Sequence, residues 1–222
     1  MTNPSLTVNE LFYSIQGESS YAGLPCFFIR LSGCNLRCRY CDSRYSWEEP
    51  GEIMSVGEIT SRASHYPGGM VEITGGEPLL QENVYHLITQ LEQHHLVLLE
   101  TNGSYLIDKV SPNTVVILDV KCPESGASSS FHHGNIEQLL ARKQLGAKDE
   151  VKFVLNCEED FLWAKIFIYD NKLDQMANIL FSPIQENLSP NKLASLILQH
   201  QLPVRLQLQL HTVIWPMTQR GV

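Results

Sequence analysis

Three cysteines, Cys34, Cys38 and Cys41, fall inside the run Gly33-Cys34-Asn35-Leu36-Arg37-Cys38-Arg39-Tyr40-Cys41-Asp42. Thiolates at that spacing can hold a metal centre, yet three cannot saturate one. A [4Fe–4S] cluster held by four thiolates passes electrons, whereas three leave one iron open to an exogenous ligand and therefore to chemistry. A structural zinc site also uses near-neighbour cysteines, but it takes four ligands, usually as two separated pairs. The sequence has no second pair. Cys26, Cys122 and Cys157 stand singly, the first two beside Pro25 and Pro123, and read as small buried hydrophobes. The spacing favours the cluster over zinc.

A second set of polar residues follows successive apolar runs. Residues 70–73 lead into Thr74-Gly75-Gly76-Glu77-Pro78, residues 97–99 into Glu100-Thr101-Asn102-Gly103, residues 114–118 into Asp119-Val120-Lys121, and Phe181 into Ser182-Pro183. In parallel α/β architectures ligands bind at the carboxyl ends of the strands, so these residues are expected to line one mouth. Any one of them also reads as an ordinary turn or cap; four together point to a site. Gly75-Gly76 lets backbone approach a ligand with no Cβ in the way. Asp119 and Lys121, two apart, share a face, where they can grip a ribose or an amino-acid moiety or pair with each other. Arg30 interrupts the hydrophobic run Phe27-Phe28-Ile29-Arg30-Leu31 just before the cysteines and suits bidentate recognition of a carboxylate.

The elements that must position these groups alternate. Apolar, β-branched strands are expected at 26–31, 70–73, 97–99, 114–118, 151–155, 178–181 and 204–208. Helices are expected from a Ser55-Val56-Gly57-Glu58 capping box to about residue 65, along the stripe Val84, Leu87, Ile88 and Leu91, and at 160–168 and 190–200. Strands alternating with helices predict a parallel sheet, open or curled into a barrel. Residues 124–134, rich in Ser, Gly and His, predict a mobile loop. The 222 residues carry 16 basic and 24 acidic side chains, a net charge of −8. That balance argues against an electrostatic nucleic-acid surface, and no apolar run is long enough to span a bilayer. Residues 1–20 show neither a basic start nor a long apolar stretch, so the expectation is a single domain over 1–222 in a reducing cytoplasm, acting on a small molecule.

The cysteine spacing, with Tyr40 just before the last thiol, resembles the signature of the radical S-adenosylmethionine (SAM) superfamily, and Gly75-Gly76-Glu77-Pro78 resembles its GGE motif. The remaining motifs narrow the match. Phe12-Tyr13-Ser14-Ile15-Gln16-Gly17-Glu18, Arg30, Cys41-Asp42-Ser43, the Thr74 and Glu100 motifs, Asp119-Val120-Lys121 and Gln209-Leu210-His211 resemble, in order, the 7-carboxy-7-deazaguanine synthase family over nearly the whole chain. The resemblance implies an α/β fold, a partial (β/α)6-like radical SAM barrel with a shortened core, in a homodimer. It implies conversion of 6-carboxy-5,6,7,8-tetrahydropterin to 7-carboxy-7-deazaguanine with loss of ammonia, on the route to queuosine and other 7-deazapurines. Implied cofactors are a [4Fe–4S] cluster, SAM and Mg²⁺, with an external electron donor such as flavodoxin or ferredoxin. Functions outside this family that share the cluster are a radical SAM activase of a glycyl radical enzyme and a non-enzymatic electron-transfer or metal-binding module.

Carried over residue by residue, the resemblance assigns Cys34, Cys38 and Cys41 to the cluster. Tyr40, Asp42, Gly76, Asp119, Val120, Lys121, Ser182, Pro183, Ile184 and Gln185 match SAM contacts. Ile15, Gln16, Gly17, Glu18, Arg30, Thr74 and His211 match substrate contacts. Ser43 stands where the family commonly has a Mg²⁺-ligating threonine; its hydroxyl is also a hard oxygen donor. Ser19 stands where the family often has glycine, and the chain continues past His211 through Trp215 to Val222.

Overall fold

Residues 70–74, 97–99, 115–119 and 150–153 are buried without alternation, the signature of strands covered on both faces. The computed structural model describes residues 4–66, 69–216 and 220–222. Its strands are β1 (Ser5–Ile15), β2 (Pro25–Leu31), β3 (Glu52–Ser55), β4 (Met70–Gly75), β5 (Leu96–Thr101), β6 (Val115–Asp119), β7 (Glu150–Leu155), β8 (Asn178–Pro183) and β9 (Arg205–Leu206). They form one sheet in the order β3-β1-β2-β4-β5-β6-β7-β8-β9. Every pair from β2 to β9 is parallel, whereas β1 pairs antiparallel with both β2 and β3. The expected parallel sheet is therefore corrected at one edge, and it stays open, with β3 and β9 as its borders.

The helices are α1 (Tyr45–Glu48), α2 (Val56–Ala63), α3 (Val84–Leu91), α4 (Gly134–Gln144), α5 (Glu158–Asn171), α6 (Pro190–His200) and α7 (Leu210–Ile214). Among the described residues α2 to α6 occupy the crossovers between parallel strands, except that β5 joins β6 without a helix. Local chemistry sets the helix ends. Ser55 Oγ accepts from the Glu58 backbone N–H at 3.2 Å while the Glu58 carboxylate accepts from Ser55 N–H at 2.7 Å, a reciprocal cap contributing about 1 kcal/mol. Ser189 caps α6 ahead of Pro190, and α6 stops where Gln201 turns left-handed. Val84, Leu87, Ile88 and Leu91 of α3 and Leu193, Leu196 and Ile197 of α6 bury their stripe against the sheet.

Some expectations shift. The helix expected to reach about residue 65 ends at Ala63, residues 160–168 are the interior of a longer α5, and the strand at 204–208 shrinks to β9. The segment 124–134, expected as a loop, is folded as 3-10 turns (Pro123–Ser125 and Ser128–Ser130) and closed by buried Phe131. No described helix is long and apolar enough to cross a membrane.

Candidate active site

Alternation along the strands divides the sheet. Residues 71, 73, 97, 99, 116, 118, 151 and 153 pack toward the helices, while Cys26, Phe28, Met70, Leu98, Val115 and Ile117 form a separate apolar floor on the inner face with Phe12 and Tyr21. Phe12 stacks on Phe28 at 4.8 Å. Beyond the floor the same inward positions turn polar: Arg30, Glu72 and Thr74, Glu100, Asp119, and Lys152. A charged side chain every second residue ordinarily marks a solvated face; here Glu72, Asp119 and Lys152 are all buried, so the face encloses a site.

The β1–β2 loop supplies the next wall. It crosses the inner face, with the Ser20 N–H donating to the Glu150 carboxylate at the foot of β7. Gln16 is buried; its amide donates to Glu72 and accepts from the Glu18 N–H at 3.0 Å. Glu18 reaches Lys152 Nζ at 2.8 Å and accepts from Gln209 Nε2 at 2.8 Å. A Cβ on Gly17 would meet His211 Nδ1 at 2.6 Å, so glycine there lets the carboxyl-terminal segment close over the loop; Leu210 N–H bonds Gly17 O at 2.9 Å. Ser19 has φ of +64°. A left-handed residue with a Cβ costs about 1–2 kcal/mol, offset in part here by Ser19 Oγ accepting from Tyr21 N–H at 3.1 Å. Ile15 ends β1 and lines a pocket of about 320 Å³ with Trp215 and Val222, so the chain end returns to the β1 side.

The cysteine loop follows β2. Cys34, Cys38 and Cys41 are half-buried, and the Cys34 and Cys38 thiols are each raised chiefly by burial, with smaller contributions from the other cysteines of the loop. All three thiols lie on the one loop that follows β2. Among the described residues no three Cys, His, Asp or Glu side chains converge tightly enough for a single ion. Zinc would need sulfurs about 4 Å apart, whereas a cubane spreads its thiolates over separate corners. Glycine lets the β4 loop dock here: a Cβ on Gly76 would lie 2.1 Å from Gly33 O and 2.8 Å from the Cys34 Cβ, and one on Gly75, at φ +141°, 2.1 Å from Leu31 O. Glu77 is fully buried and accepts from Leu79 N–H (2.9 Å), Thr101 Oγ1 (2.8 Å) and Asn102 N–H (2.8 Å). It staples two strand-end loops together rather than facing a ligand.

The far side of this face is built from β6 to β8. Asp119 Oδ2 accepts from Lys121 Nζ at 2.8 Å, while Oδ1 is buried without a partner among the described residues. An acceptor left bare in that way fits a ligand hydroxyl. Val120 turns its side chain into the core and gives its N–H to Lys152 O at 2.8 Å, so only its carbonyl can serve a ligand. Ser182 and Pro183 are buried at the end of β8, Ile184 N–H bonds Leu155 O, and exposed Gln185 reaches Thr212 Oγ1 at 3.4 Å. Tyr40 donates to Val154 O at 3.2 Å, bracing the cysteine loop on β7.

On the other side Arg30 Nε donates to Glu10 Oε1 at 2.7 Å, with Tyr45 Oη on the same oxygen at 2.9 Å. Asp42 lies close enough to add to the field on Arg30. Ser43 O accepts from Ser46, and the Ser43 hydroxyl makes no hydrogen bond among the described residues, which leaves it free as an oxygen donor. Thr74 Oγ1 donates to Glu100 at 3.1 Å. Sequence reasoning missed Glu72 and Lys152 and left Glu100 without a role; their signal was a lone charge in each of Met70-Val71-Glu72-Ile73 and Val151-Lys152-Phe153-Val154.

Charge balance sets protonation. Glu18, Glu100 and Asp119 lie against Lys152, Asp119 also pairs with Lys121, and Glu72 accepts from Gln16. Burial raises Glu100, but the Lys152 charge and hydrogen bond, with Lys121 and Thr74, outweigh it and bring Glu100 down to about 2. Burial, then Glu100 and Glu18, push Glu72 well above the ordinary carboxylate value of 4.5. The folded protein therefore holds Glu72 protonated in a range where the unfolded chain has ionised it. The stability this confers is complete below about pH 4.5 and is lost as pH rises through the folded value. Glu72→Gln keeps the shape and the neutral state, so its stability in urea is expected to exceed wild type by a margin that widens as pH rises above about 4.5, by up to about 1.4 kcal/mol per pH unit. A margin independent of pH refutes the assignment.

An open parallel sheet carrying a three-cysteine loop at its carboxyl mouth defines a radical SAM protein, and the Radical SAM superfamily profile matches residues 28–120. The 7-carboxy-7-deazaguanine synthase of Chlorobaculum tepidum is 44% identical over 222 residues, covering 100% of this chain and 99% of that protein. The one from Koribacter versatilis is 39% identical, covering 98% and 100%. The chain belongs to the 7-carboxy-7-deazaguanine synthase family. The crystal structure of QueE from Escherichia coli shares the fold, with a TM-score of 0.72 at 24% identity over 92% of this chain and 94% of that one. Membership implies SAM and a [4Fe–4S] cluster, and the half-buried thiols, the glycine cradle and the bare Asp119 oxygen fit both.

Proposed function

We propose that this chain is a radical SAM carbon–nitrogen lyase that contracts the ring of 6-carboxy-5,6,7,8-tetrahydropterin to 7-carboxy-7-deazaguanine with release of ammonia. The observation that carries the reading is the convergence of Gln16, Glu18, Arg30 and Thr74 on the same inner face as Asp119, next to the cysteine loop. An activase would have no use for that set. SAM bound at the cluster supplies one-electron, hydrogen-abstracting chemistry. The chain's residues do the rest.

Cys34, Cys38 and Cys41 would hold the cluster, and Gly76 gives backbone access beside it. Asp119 Oδ1 would accept a ribose hydroxyl while Lys121 keeps the carboxylate in place. Arg30 spends only its Nε on Glu10, leaving its two terminal nitrogens for the substrate carboxylate. Gln16 and Glu18 present amide and carboxylate groups to a pterin edge, and His211 closes over Gly17. Ser43 would bind Mg²⁺ through its free hydroxyl. A single domain acting as a cytoplasmic homodimer, reduced by a flavodoxin or ferredoxin, completes the reading.

The test is incubation of reconstituted, reduced protein with SAM, Mg²⁺ and the carboxytetrahydropterin, with mass spectrometry for the deazapurine acid; no product refutes it. Arg30→Ala is expected to lower kcat/KM about a hundredfold, the cost of a missing buried ionic partner, while SAM cleavage without substrate persists. Unchanged turnover would return the activase to contention.

A further inference from the structure

Lys152 occupies the centre of the inner face with its side chain 5% exposed. Its Nζ lies 2.8 Å from Glu18 Oε2 and 3.6 Å from Asp119 Oδ2, and it donates to Glu100 Oε1. The three carboxylates come from three elements: the β1–β2 loop, the end of β6 and the end of β5. In the proposed function Glu18 serves the pterin and Asp119 the nucleoside. Stability alone is a poor reason for the arrangement, because desolvating one ammonium and three carboxylates offsets most of their attraction. Asp119 also has its own cation in Lys121 at 2.8 Å. What Lys152 adds is geometry: no other cation reaches both sides of the site among the described residues.

We propose that Lys152 is a positioning residue that locks Glu18, Glu100 and Asp119 into one charge-balanced array, so that pterin and SAM are oriented against each other from a single buried cation. The inference rests on the proposed function. Since Lys152 ties the carboxylate that one ligand contacts to the carboxylate that the other contacts, ordering of one side tightens the other, and the coupling is reciprocal.

The test measures dissociation constants for SAM, with and without the pterin, and for the pterin itself, by anaerobic calorimetry on reconstituted protein. Lys152→Met leaves three carboxylates facing one lysine, and misfolding could mask its effect. The double variant Lys152→Met/Glu100→Gln removes one charge of each sign and is compared with Glu100→Gln alone. Cluster absorbance and the unfolding midpoint check that each variant is intact. Against Glu100→Gln, the double variant is expected to weaken pterin binding about a hundredfold and to abolish the tightening of SAM by pterin, while SAM alone binds as before. Lys152→Arg is expected to restore part of the coupling. Pterin affinity and coupling equal to those of Glu100→Gln overturn the proposal, as does a double variant changed only in its unfolding midpoint. A wild-type chain that binds SAM but not the pterin defeats the functional reading instead, so the two failures are distinguishable.

Discussion

Cys38→Ala yields a chain that takes up little or no iron and sulfide on anaerobic reconstitution, shows no SAM-responsive cluster spectrum and turns over no substrate. With three thiolates and one open iron, each cysteine is the tether for its corner of the cluster. The loop itself should survive. Cys41 N–H bonds Cys38 O at 3.3 Å and Arg39 N–H bonds Ser125 O at 3.0 Å, contacts made by backbone and untouched by the substitution. Loss of cluster with an unchanged unfolding midpoint of the apoprotein is the expected pair of results. Cys122→Ala is the control: the thiol is fully buried in the helix-side core, so its removal lowers stability modestly and leaves iron content intact. Iron and turnover retained in Cys38→Ala would remove the cluster from this loop.

The sequence exposed the chemistry more fully than the scaffold. Cysteine spacing and strand-end motifs are local, and the parallel strands repeat an apolar pattern that survives any tertiary context. β1 hides because a register shift between Val8 and Glu10 breaks its alternation: Leu6 and Val8 are buried in step, and beyond the irregularity the strand is half-covered apart from exposed Tyr13. β3 is four residues long with Ile53 exposed, too short to show a period. α4 escapes because its polar residues outweigh its stripe, and one of its buried positions is Arg142. Lys152 and Glu72 escape for a different reason. An isolated charge in a strand carries no sign of whether it faces water or an enclosed surface, and that depends on a loop whose contacts are 56 residues from Glu72 and 134 from Lys152 in the chain.

Arg142→Met is expected to destabilise the fold more than any surface change and, through it, the site. Arg142 is 4% exposed and spends every nitrogen: Nε and Nη2 on the two oxygens of Asp149 (2.6 and 2.9 Å), Nη1 on Val110 O and Ser111 O (2.6 and 3.0 Å), and Nη2 also on Thr114 O (2.7 Å). Asp149 in turn accepts from Val116 N–H at 2.9 Å. One guanidinium thus clips the connection into β6, the start of β6 and the start of β7 together. Methionine fills the volume but leaves the buried Asp149 carboxylate without its cation and the Val110 and Thr114 carbonyls without the guanidinium donors, a loss of about 3–5 kcal/mol, which is a large share of the roughly 5–15 kcal/mol of a typical domain. The urea midpoint should fall accordingly, whereas Lys109→Met, which breaks an exposed pair with Glu82, should barely move it. The clip sits at the foot of the two strands whose register sets Asp119 opposite Lys152 three residues further along each. Sub-denaturing urea should therefore weaken SAM binding in Arg142→Met before it unfolds the chain. A midpoint no lower than that of Lys109→Met would show that the clip contributes nothing and that apolar packing alone holds β6 against β7.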